Sequence, residues 1–113
     1  MIERKKNLIG ILYQTYNTPL SRINTLRDYY NTFNKVNIQN LDKQRFKNIL
    51  DELNWAISNP DYDFNTILQT DYSNKELLKW FKIYRKNVVF ILENYEKGKY
   101  TLTAQDVPRD LEL

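Results

Sequence analysis

The 113-residue chain carries 17 Lys/Arg against 14 Asp/Glu, with no histidine and no cysteine, for a net charge of +3. That inventory excludes a disulfide framework, a sulfur-based zinc site and imidazole acid–base or metal chemistry. Two glycines and three prolines leave too little turn chemistry for an all-β fold of many short strands, so helices are expected.

Residues 2–16 place Ile2, Leu8, Ile9, Leu12, Tyr13 and Tyr16 on one helical face, with Glu3, Arg4, Lys6, Asn7 and Gln14 largely opposite. The apolar run from Leu8 to Tyr13 is short for a signal peptide and no small-residue cleavage site follows it. No stretch approaches the roughly 18 apolar residues of a membrane span. A cytoplasmic chain with no membrane partner is expected.

Thr18-Pro19 then marks a new start, because Thr caps helices and Pro suits the first helical position. A second helix is expected from there to Val36, with Ile23, Leu26, Tyr29, Tyr30, Phe33 and Val36 in one arc and Asn24, Asp28, Asn31 and Lys35 on the other side. Residues 37–40 read as a short polar connection.

A third helix is expected over residues 41–58, with Phe46, Ile49, Leu50, Leu53, Ala56 and Ile57 facing the core. Trp55 falls off that face, on the side of Gln44, Asn48, Asp51 and Glu52. Two readings stand for it: a ring covered by a loop or the tail, or an anchor for a partner, since Trp is enriched at binding hot spots.

Asn59-Pro60 ends the helix. The spacing Asp61, Asp63, Asn65 matches the opening of a calcium loop, but Thr66 stands where that loop needs Gly and Tyr72 where it needs Glu. No metal is expected. Asp63 reads more simply as the N-cap of a short helix that carries Phe64, Ile67 and Leu68 into the core.

The strongest signal lies in residues 73–98. Ser73 and Glu76 form a capping box, and Gly98 sits where a left-handed residue would end the helix. Leu77, Trp80, Phe81, Tyr84, Val88, Ile91, Leu92 and Tyr95 make one apolar stripe. Lys75, Lys79, Lys82 and Lys86 make a second stripe opposite it, with Arg85 at its flank. From Val88 to Leu92 the helix is apolar on nearly every side, so either it is surrounded there or Val89 and Phe90 form a homo-oligomer contact.

Residues 100–103 have strand-like propensity without an evident partner strand, and read as the start of an extended arm. Val107, Leu111 and Leu113 offer it packing groups; Asp106, Asp110 and Glu112 offer acid to lay against the basic helices.

The expected fold is all-α: a helical bundle of four main helices plus one short helix, with the long C-terminal helix over about 73–97 as the central element. Residues 1–99 form one domain and 100–113 an extended acidic tail. Bundles of this size include small bacterial immunity and inhibitor proteins, a likeness of size and class without a shared motif.

No enzyme is expected. The pair Asp51/Glu52 is adjacent and diverges on a helix, while Glu93/Glu96 reads as an ordinary surface pair beside Lys86 and Lys97. Neither glycine, Gly10 or Gly98, belongs to a phosphate-binding loop, and no cofactor is implied. The leading expectation is a protein-binding module, an inhibitor, immunity-like or accessory subunit, with Trp55, Lys75, Lys79, Lys82, Arg85 and Lys86 as partner-binding residues. The alternative is a nucleic-acid-binding subunit that uses the Lys stripe. A tail laid over the stripe would neutralise it and weigh against the second reading.

Overall fold

The computed structural model describes residues 6–16, 35–103 and 106. Within them lie helix α1 (Lys6–Tyr13), strand β1 (Lys35–Asn37), helix α2 (Lys43–Ser58), helix α3 (Asn74–Glu96) and strand β2 (Thr101–Thr103). Short 3-10 turns follow α1 at Gln14–Tyr16 and precede α3 at Phe64–Thr66. The chain is mostly helical, as composition predicts. The expected second helix falls almost wholly on residues 17–34, outside those described.

Helix α3 has the boundaries its sequence signals. The Ser73 hydroxyl accepts from the Glu76 amide (3.2 Å) and the Glu76 carboxylate accepts from the Ser73 amide (3.1 Å), which completes the capping box. At the other end Gly98 adopts φ +75°, and the amides of Gly98 and Lys99 donate to the carbonyls of Tyr95 (3.1 Å) and Asn94 (2.9 Å). This is the paired hydrogen-bond pattern of a Schellman stop, and its left-handed residue is one that only glycine adopts without strain.

The main core forms where α3 meets α2, with α1 laid against α2. Leu8, Ile11 and Leu12 from α1, Leu53 and Ala56 from α2, Phe64, and Leu77, Trp80, Phe81, Val88 and Leu92 from α3 are buried together. Tyr84 packs against this core and Ile91 and Tyr95 pack against a second cluster, so the apolar stripe expected on the long helix is internal along its length. Among the described residues the Trp80 indole N–H finds no acceptor.

Two expectations need correction. Helical periodicity puts Val36 on the second helix, and the lack of an evident partner strand puts residues 100–103 in an extended arm. Instead β1 and β2 pair antiparallel, with Val36 opposite Leu102, and the Ile38 amide donates to the Tyr100 carbonyl (2.7 Å). The pairing is driven by burial: Leu102 is fully buried with Ile38, under Phe90, Ile91 and Tyr95 of α3. The other correction concerns α1. Periodicity puts Ile9, Tyr13 and Tyr16 on its core face, but they are exposed, and Ile11 takes the inward position beside Leu8 and Leu12.

Asp106 anchors the end of β2. Its carboxylate accepts from Lys99 Nζ (2.6 Å) and from the amide (2.7 Å) and hydroxyl (3.0 Å) of Thr103. The Lys99 hydrogen bond, followed by the Thr103 amide, holds its carboxyl below the ordinary value of 3.8. A depressed carboxylate stabilises the fold above its unfolded pKa, and that contribution is lost as pH falls through the lowered folded value. Protection of the Ile38 amide against hydrogen exchange is therefore expected to drop as pH falls from about 5 to below 3.8. In Asp106→Asn it should be reduced already at pH 5 and fall less than in wild type on acidification; a wild-type protection that is flat across this range would refute the account.

Candidate functional site

The outer side of α2 is concave. A groove of about 880 Å³ runs beside it, lined by Gln44, Arg45, Asn48, Asp51, Glu52 and Trp55, with Lys6 and Asn7 of α1 opposite and Asp42 at one end. These include the polar neighbours that the helical wheel assigned to Trp55. The N-cap Asp42 accepts from the Arg45 amide (3.1 Å), and Gln44 Nε2 donates to Asn48 (3.0 Å), so part of the lining is ordered by its own helix.

Trp55 is partly buried in this wall rather than projecting from it. Its ring packs edge-on against Tyr62 (centroids 5.0 Å) and lies 6.4 Å from Phe64. The loop carrying those two rings is pinned by the first residue of α3: the Asn74 side chain donates to the Pro60 carbonyl (3.0 Å) and accepts from the Phe64 amide (3.0 Å). A loop therefore covers one side of Trp55, while the groove borders it on another.

Glu52 is the residue whose role the sequence did not show. It was read as part of the outer polar face, but it is buried and closes the start of α1. Its carboxylate accepts from the amides of Asn7 (2.9 and 3.2 Å) and Leu8 (3.2 Å), and from the Asn7 side chain. A carboxylate on orphan amides at a helix N-terminus satisfies the donors and complements the helix dipole. No spacing rule could have found a cap supplied from 45 residues away.

The basic residues of α3 divide. Lys75, Lys79, Lys82 and Lys86 are exposed along one face. Arg85 has left that face, since its Nε donates to Asn54 of α2 (2.5 Å), and it belongs to the α2–α3 seam. Glu96 pairs with Lys43 across the same seam. That hydrogen bond raises the Lys43 pKa and lowers that of Glu96. Phe90 packs on the Leu102 cluster, while Val89 lines a shallow apolar depression with Leu50 and Leu92.

The partial calcium spacing is turned to loop architecture. Asp63 caps the 3-10 turn by accepting from the Asn65 amide (3.2 Å), as read from the sequence. Asn65 faces Thr70 and Tyr72, accepting from the Thr70 amide and hydroxyl (both 2.7 Å) and donating to the Tyr72 carbonyl (2.9 Å). No helix among the described residues is long and apolar enough to cross a membrane.

No family model, no curated protein and no solved structure matches this chain.

The Glu52 cap yields a stability test. Glu52→Ala would leave the buried Leu8 amide and the partly buried Asn7 amide without an acceptor, which costs about 1–3 kcal/mol. Asp51→Ala, at an exposed neighbouring position, should stay within about 0.5 kcal/mol of wild type. Urea unfolding of the two variants checks both, and equal effects would contradict the capping role.

Proposed function

We propose that this chain is a small, non-enzymatic cytoplasmic module that binds another protein through a helical surface, as an inhibitor, immunity or antitoxin-like protein, or accessory subunit. The reading takes the fold as the expected bundle of four main helices. The observation that carries it is the outer face of α1. Among the described residues the exposed large hydrophobics are Ile9 (40%), Tyr13 (58%), Tyr16 (51%) and Tyr100 (37%); Ile9 and Tyr13 stand one turn apart on α1, and Tyr16 follows in the 3-10 turn. The Tyr13 and Tyr16 rings are 5.2 Å apart, and the Tyr16 hydroxyl donates to the Gln69 carbonyl (2.7 Å), which fixes the pair.

Tyrosine supplies large contact area at low conformational cost, and it is enriched at interfaces. The first turn of the same helix lines the groove that borders Trp55, so the two features offer adjoining contact for one partner. Gly10 adds a notch: a Cβ built there meets nothing within 4 Å. Glycine inside an exposed helix lowers stability, and the open space lets a partner approach the backbone closely.

Gly10→Ala should therefore raise stability by about 0.5–1 kcal/mol in thermal or urea unfolding. The binding test compares proteins retained from extracts of the native host by wild type, Tyr13→Ala and Trp55→Ala. A specific partner should be lost with Tyr13→Ala and weakened with Trp55→Ala. Retention of every partner at wild-type level by both folded variants would overturn the reading.

A further inference from the structure

We propose that the Lys face of α3 is a second, separate surface that binds the phosphate backbone of duplex nucleic acid without reading its sequence. Lys75, Lys79, Lys82 and Lys86 recur about once per helical turn over roughly 16 Å, and all are exposed. Among the described residues Lys43 pairs with Glu96 and Lys99 with Asp106, and neither pair engages Lys75, Lys79 or Lys82. The described part of the acidic tail is tied down elsewhere: residues 101–103 pair with β1 and Asp106 holds Lys99, toward the C-terminal end of α3.

The chemistry of the face selects its ligand. Lysine is depleted from protein–protein interfaces, which need an apolar anchor, and this face has none exposed. The apolar residues at its edges, Leu78 and Ile83, are partly buried. Single strands are gripped by stacking bases on exposed aromatic rings, but among the described residues the exposed tyrosines lie on α1, in the turn after it and at Tyr100. Bases in a groove are read by the forked donors of Arg or the amides of Asn and Gln. Arg85 is bonded to Asn54, and Asn87 is buried with its side chain donating to the Ile83 carbonyl (2.9 Å). What remains is a row of ammonium point charges, sufficient for phosphate and insufficient for sequence.

Anisotropy titrations of the full chain with a labelled duplex of arbitrary sequence, and with its single strand, test this. Three or four phosphate contacts predict a slope of log affinity against log salt between about −2.7 and −3.6. Between about 20 and 150 mM salt the duplex affinity should fall by some hundreds to roughly a thousandfold. A scrambled duplex should bind equally, and the single strand no more tightly. Lys79→Glu/Lys82→Glu should weaken low-salt binding at least tenfold, whereas the charge-matched Lys47→Glu/Lys97→Glu should change it less than threefold. Thermal unfolding of each variant confirms that it is folded. Absence of duplex binding at low salt, tighter binding of the single strand, or equal losses in the two double variants would overturn the proposal. None of these outcomes bears on capture of a protein through Tyr13.

Discussion

The perpendicular contact of Phe64 with Phe81, ring centroids 5.2 Å apart, is the joint on which the packing around α3 depends. Phe64 is fully buried and sits at the start of the loop's 3-10 turn, so the contact locks a connecting segment to the long helix. From it a continuous series of ring contacts runs outward through Tyr62 to Trp55 and inward through Trp80 to Tyr84. Aromatic pairs of this kind contribute about 0.5–1.5 kcal/mol beyond their buried area. The joint is reinforced by Asn74, which belongs to α3 and bonds both ends of the loop segment from Pro60 to Phe64. The position of Trp55, and with it one wall of the groove, follows from how α3 begins.

What could be read from the sequence was local. The capping box, Gly98 as the stop, Asp63 as a cap and the apolar stripe of α3 all rest on residues within a few positions of one another, and the structure has each of them. What could not be read was non-local. A three-residue strand carries no usable period, so Val36 fitted a helical arc until Leu102 supplied its partner. Glu52 looked like any acidic residue on an outer face, because a helical wheel shows direction and says nothing of which helix end lies opposite. Ile9 and Tyr13 failed for a related reason. The apolar arc of α1 is wider than the area its neighbours cover, and periodicity alone does not tell which edge is left outside.

Charge follows the same division between local and long-range. Asp106 with Lys99, and Glu96 with Lys43, pair acids and bases from different segments where those segments meet. Each pair has one member at or just beyond the C-terminal end of α3. Their carboxylates are held below their ordinary pKa values by direct hydrogen bonds to the partner lysines, the largest cause in each case. The acidic excess of the tail thus has at least one structural use at Asp106, which is distinct from shielding the Lys face.

The fate of Arg85 explains why that face is chemically uniform. A guanidinium is the better partner for an amide in a seam, since its planar donors keep a fixed direction, and Asn54 takes it. An ammonium at the same position would lack that geometry. Withdrawing the arginine into the α2–α3 seam leaves only lysines outside, and lysine contributes charge with little directional preference. The contact that joins the two helices therefore also turns the one arginine of α3 toward the seam and away from the lysines. The proposed phosphate-binding role asks no more of the face than this: charge, without a means of distinguishing one sequence of a polyanion from another.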